Sequence, residues 1–169
     1  MATSEGDPAW LTREQLQDWL AVLALTQALP AALDTQLKRD AGINGFEYHV
    51  LATLSQAPEH SMHMSQLAVL AQGSQSRLSH AVGRLEKAGW VSRRPSSENA
   101  RYIEARLTEA GWQKIQQVAP GHVGEARRLV IDALTPSQLR QLGRAANRIV
   151  QEADPNMALW LNKASDDAT

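Results

Sequence analysis

The chain has 169 residues, 43% apolar and 21% charged, which suits one globular domain with its own core rather than a disordered segment. It has no cysteine, which excludes disulfides, thiolate zinc sites and a cysteine redox switch. No membrane-spanning apolar run and no basic-then-apolar leader are apparent, so a soluble, cytoplasmic protein with no membrane partner is expected. The formal net charge is −1, yet residues 73–106 hold seven Lys/Arg against three acidic residues, an excess of four that leaves −5 for the rest. A basic face on an acidic body is what contact with phosphates requires.

Residues 1–9 read as a loose tail. Thr12 and Gln15 form a capping-box signal for a first helix, followed by a wide apolar face of Leu16, Trp19, Leu20, Val22, Leu23 and Leu25. Pro30 is expected to kink this helix or split it before residues 31–39. Asn44 and Glu47 cap a second helix with Phe46, Val50, Leu51 and Leu54 inward, and Pro58 ends it. Ser65 opens a third helix, with Leu67, Ala68 and Leu70 inward, and Gly73 marks a turn. Ser74 caps a fourth helix whose core face is Leu78, Ala81, Val82 and Leu85, closed by a left-handed Gly89.

Residues 90–94 read as a strand and residues 95–99 as turn chemistry. Residues 101–107 alternate, with Ile103, Ala105 and Leu107 on the buried face. Thr108 caps a long helix that Pro120 and Gly121 interrupt and that resumes through residues 123–134. Thr135, Pro136 and Gln138 start a last helix with a stripe of Leu139, Leu142, Ala146, Ile149 and Val150, ended at Asp154-Pro155. Met157, Leu159, Trp160 and Leu161 make an apolar tail.

Helix, turn, helix and basic hairpin in that order describe a winged helix-turn-helix. The expected fold is mainly α with a small β-wing: a DNA-binding lobe over residues 41–111, dimerisation helices over 10–40 and 112–161, and a tail over 162–169. A recognition helix needs polar side chains of varied reach on its first turns. Here they are Ser74, Gln75, Ser76, Arg77, Ser79 and His80. Gln pairs with adenine and Arg with guanine in a bidentate manner, while serines allow close approach to phosphates. Arg84, one turn on, suits a phosphate, as do Arg93 and Arg94 on the first hairpin strand. Arg101, beside the hairpin turn, is the candidate for insertion into the minor groove. A structural role, bonding turn carbonyls or Asn99, is the competing reading for Arg101.

These residues carry a family resemblance. The wing motif Asp-x-Arg-x5-Leu-Thr-x2-Gly of the MarR family of bacterial transcriptional regulators is matched by Asn99-Ala100-Arg101, Leu107-Thr108 and Gly111. Asn in place of the family Asp keeps an acceptor for the turn and loses the charge that would pair with Arg101. The segments Met64–Ala68, Ser74–His80 and Arg84–Val91 are similar too. The resemblance implies a homodimer in which first and last helices of two subunits interdigitate, acting as a ligand-responsive repressor on a palindromic operator of double-stranded DNA. The apolar surface of residues 16–25, 123–134 and 139–161 independently asks for such a partner. The resemblance also implies a small aromatic ligand between the dimer helices and the reading lobe, for which Trp10, Trp19, Tyr48 and His49 are candidates.

His60 and His63 flank Met62 and Met64, but three or four ligands are needed for a metal and only Glu59 is near. No metal and no cofactor are expected, and that stretch reads as a short strand or loop beside the wing. There is no Gly-rich phosphate loop, nucleophile elbow or paired-carboxylate pattern, so no enzyme is expected. The alternatives are a metal-responsive winged-helix sensor and a helical adaptor that does not read DNA.

Overall fold

The computed structural model describes residues 10–96, 99, 101–155 and 157–159. The expected residues Trp160 and Leu161 lie outside them. In chain order the elements are α1 (Arg13–Ala41), α2 (Gly45–Gln56), a 3-10 turn (Pro58–His60), β1 (Ser61–His63), α3 (Met64–Leu70), α4 (Gln75–Lys87), β2 (Val91–Pro95), β3 (Ile103–Leu107), α5 (Glu109–Ala126), a π turn (Arg127–Ile131) and α6 (Pro136–Ala153). The sheet is antiparallel in the order β1-β3-β2.

Local chemistry sets the helix starts. Capping boxes form at Thr12/Gln15, Asn44/Glu47 and Thr135/Gln138, where each pair satisfies two N–H groups at the helix start. Ser74 and Thr108 accept single cap bonds from Arg77 and Gly111. Gly89 adopts φ +77°, which ends α4 and sends the chain into β2.

The core is built from α2, α3, α4 and the base of the sheet. Leu51, Leu54, Leu67, Leu78, Val82 and Ala105 are fully buried there. From the long helices, Leu37 of α1 and Ile115 and Val118 of α5 are buried in it, and Ala41 and Trp112 pack against it partly buried. Most of α1 and all of α6 lie outside: Gln36 and Leu37 are the buried residues of α1, and none is buried along α6. The lobe therefore has its own core, and the outer helices carry apolar faces that the chain does not itself cover.

Several expectations change. Pro30 does not split α1, which runs through it unbroken. One lost N–H at an exposed position does not end a helix rich in Ala, Leu and Gln. Pro120 and Gly121 likewise lie within α5. The break comes later, where Asp132 N–H donates to Arg127 O in a π turn. The helix after Met62 begins at Met64, one residue before Ser65, and in the turn that Gly73 marks the left-handed residue is Gln72 (φ +56°). Gly73 is needed for space: a Cβ there would lie 2.4 Å from the Phe46 ring. Ile103 is exposed, because it pairs with Pro95 out towards the wing tip, beyond the core that buries Ala105 and Leu107. Finally, α1 is 29 residues long with a stretch of mean hydropathy 1.2, so one helix does have the length and apolarity to cross a membrane. A single such helix is weak evidence for a membrane, since a helix packed between two chains has the same composition.

Candidate nucleic-acid interface

Helix α4 is divided cleanly. Leu78, Ala81, Val82 and Leu85 are buried, and Gln75, Ser76, Arg77, Ser79, His80, Arg84 and Lys87 are exposed. At about 100° per residue, Ser76, His80, Gly83 and Lys87 fall opposite the core stripe, with Arg77 and Arg84 on one flank and Gln75 and Ser79 on the other. Lys87, exposed on the same face, is a candidate that sequence reasoning did not name. Its helical register with Ser76 and His80 was the available signal. Ser74 keeps an exposed position while its hydroxyl caps the helix (3.1 Å from Arg77 N).

Each arginine has a distinct setting. The Arg77 guanidinium lies 4.2 Å from the centroid of the Phe46 ring. Arg84 donates through Nε to Glu47 Oε1 and stays half exposed. Arg93 is tied to α4: its Nε donates to Glu86 Oε2 at 2.8 Å and its backbone N–H to Glu86 Oε1 at 2.9 Å. That pairing holds the Glu86 carboxyl below its usual value. Arg93 therefore bolts the wing to the recognition helix. Arg94 sits 3.5 Å from Glu104 on the outer sheet face. Hydrogen bonds from Ser96 and Ser61, and then the charges of Arg94 and His63, lower the pKa of Glu104.

At the wing tip, Asn99 Oδ1 accepts from Arg101 N–H (3.0 Å) and Asn99 O accepts from Tyr102 N–H (2.9 Å). The side chain at position 99 thus serves the turn as an acceptor without a charge. The Arg101 side chain is exposed and has no hydrogen bond or ion pair among the described residues.

Of the four ligand candidates, Tyr48 and His49 lie together, and Trp10 and Trp19 lie apart from them. Tyr48 is buried at the junction of α1, α2 and α5, with its ring 4.2 Å from the ring of His122 and 6.2 Å from that of His49. His122 Nδ1 lies 3.4 Å from Gln36 Oε1. Trp19 is about 25 Å of helix away from Gln36, and Trp10 further still, both exposed. His122 and Gln36 were not legible as neighbours, because α1 and α5 meet only through the fold. Desolvation, and then the Arg77 charge, lowers the pKa of His49; desolvation, and then His49, lowers that of His122.

The unfolded chain binds these protons near the usual value of 6.5 and the folded chain binds them only below it. The contribution is full above 6.5 and is lost as pH falls towards the lowered values. The urea midpoint is expected to drop between about pH 7.5 and about pH 5.5, and to drop less in a His49→Gln/His122→Gln variant. An identical drop in both proteins would assign the effect elsewhere.

His60 stacks on Trp112 (4.7 Å) and His63 packs edge-on to Tyr102 (5.6 Å), with β1 forming the expected strand beside the wing. Among the described residues no three His, Asp or Glu side chains are grouped as metal ligands.

A family model described as the MarR family matches residues 43–103. The structure of Sco3205, a MarR family transcriptional regulator from Streptomyces coelicolor in complex with DNA, is 39% identical, with TM-score 0.83 over 89% of this chain and 94% of that one. AbsC, another MarR family transcriptional regulator from Streptomyces coelicolor, is 34% identical, with TM-score 0.81 over 86% and 98%. The transcriptional repressor MprA of Escherichia coli K12 is 28% identical over 113 residues, a stretch that spans 67% of this chain and 64% of the repressor's own length.

Proposed function

This chain belongs to the MarR family of transcriptional regulators, and from that premise we propose that it represses transcription as a homodimer bound to a palindromic operator. In this reading residues 41–111 are the reading lobe and residues 10–40 and 112–161 pair two chains. The observation that carries it is the division of α4, with a fully buried apolar stripe, Ser, His and Lys opposite it, and Gln, Ser and Arg on its exposed flanks. Gln75, Ser76, Ser79 and His80 face base edges, Arg77 reads at the flank, and Ser74, Arg84, Lys87 and Arg94 meet phosphates. Arg93 is a phosphate contact only with the portion of its guanidinium that Glu86 leaves exposed. Arg101 enters the minor groove from a turn ordered by Asn99.

Two lobes on a two-fold axis place half-sites about one helical turn apart, so that bound protein obstructs polymerase. A small aromatic ligand beside Tyr48, His49 and His122 releases DNA to the extent that it prefers a different lobe spacing. Trp10 and Trp19 reach such a ligand only from a second subunit.

The first measurement is binding to a duplex from upstream of the protein's own gene, against a scrambled duplex, at two salt concentrations. Tight binding confined to the upstream duplex is expected. Arg101→Ala is expected to weaken it about tenfold. Gln75→Ala is expected to change base preference and not only affinity. Unchanged affinity in the Arg101 variant rejects wing insertion, and failure to bind either duplex favours an adaptor without DNA readout.

A further inference from the structure

We infer that Phe46 and Glu47 of α2 are positioning residues that hold Arg77 and Arg84 of the recognition helix ready for DNA. The inference rests on the reading of α4 as the DNA-contacting helix.

The two arginines are seven residues apart, two turns along one flank of α4. Two adjacent residues of a different helix grip them. Phe46 is 7% exposed, and its ring is wedged against the helix-turn-helix at Gly73, where a Cβ would meet it at 2.4 Å. The ring cannot move towards the turn, and the Arg77 guanidinium lies 4.2 Å from its centroid. A guanidinium over an aromatic face is held by the ring quadrupole while its N–H edge stays open.

Glu47 is buried and doubly committed. Its Oε2 accepts from Asn44 N–H at 2.9 Å, closing the capping box of α2, and its Oε1 accepts from Arg84 Nε. Among the described residues Glu47 engages Arg84 through Nε, which leaves the terminal nitrogens for a phosphate. An arginine ordered before DNA arrives loses less conformational freedom on binding.

Glu47→Gln keeps the capping box through its one amide oxygen, and it puts an amide NH2 in place of the charged oxygen that accepts from Arg84 Nε, so the hold on Arg84 is lost while the cap remains. Phe46→Leu and Phe46→Met keep an apolar side chain at Gly73 and remove the ring. In the free protein, proton resonances of the Arg77 side chain are expected to be shifted upfield by the ring and to lose that shift in both Phe46 variants. A general loosening of the core does not produce so local a change.

On the upstream duplex, Phe46→Leu is expected to weaken binding about fivefold, and less than about twofold when Arg77 is already Ala. Glu47→Gln is expected to weaken it about threefold, and to have no effect when Arg84 is already Ala. If Phe46→Leu proves too unstable, Phe46→Met supplies the same cycle. Equal losses with and without the arginines overturn the proposal, as does an Arg77 spectrum untouched by losing the ring. Tighter binding by Glu47→Gln overturns it too, since Glu47 would then compete with phosphate. A wild-type protein that binds neither duplex overturns the DNA reading and this proposal with it, even where the ring contact is seen in the spectrum.

Discussion

Gly111→Ala is expected to destabilise the protein by about 3 kcal/mol or more, read as a lowered urea midpoint with an unchanged slope. A Cβ at this position would lie 2.0 Å from Trp90 O, 2.9 Å from Trp90 C and 2.8 Å from Leu107 Cδ1. Two of those atoms are backbone, and they are held from several sides. Trp90 O accepts from Thr108 N–H at 3.0 Å, Gly89 O accepts from the Thr108 hydroxyl at 2.7 Å, and Gly89 itself is left-handed. Relief would have to pull the start of α5 off the end of α4 and break the cap that Thr108 Oγ1 gives Gly111 N–H. Gly83→Ala is the control. Nothing lies within 4 Å of a Cβ there, so alanine in mid-helix is expected to be neutral or stabilising by up to about 1 kcal/mol. Equal effects of the two substitutions would reject the close approach of α5 to Trp90.

The same junction shows what a sequence can disclose. Leu107-Thr108-x2-Gly111 is a readable pattern because each residue answers a local demand: a strand end in the core, a helix cap, and a helix start pressed onto a carbonyl. Capping boxes at Thr12, Asn44 and Thr135 are legible for the same reason, since both partners lie within one turn. Pro30 and Pro120 misled because a proline states its own preference and not the strength of the helix around it. The settings of the arginines were beyond reach. Glu86 holds Arg93 through the angle between α4 and β2, and Glu47 reaches Arg84 across the packing of α2 on α4, neither of which has a sequence period. The Tyr48–His122 contact joins residues more distant still. Lys87 is the opposite case, where the helical period contained the information.

Leu142→Glu combined with Ile149→Glu is expected to turn the proposed homodimer into a monomer and to weaken operator binding by about 100-fold or more. The two residues are seven apart, both exposed, on an amphipathic helix none of whose residues is buried within its own chain. Opposite in sequence, Leu16, Trp19 and Leu20 of α1 are similarly bare. Two such stripes on one chain have a natural cover in each other's copies, as an isologous two-fold contact. A carboxylate in the middle of that contact is buried without a partner and strongly disfavours it. The lobe is expected to stay folded, because the described core includes no residue of α6. Near-ultraviolet dichroism should therefore persist while sedimentation reports the mass of one chain. Affinity falls because binding to two half-sites by a linked pair gives way to binding to each half-site separately. A wild-type protein that already sediments as one chain, or a variant that sediments as one chain and still binds the operator tightly, would show that the apolar faces of α1 and α6 serve something other than the pairing of two reading lobes.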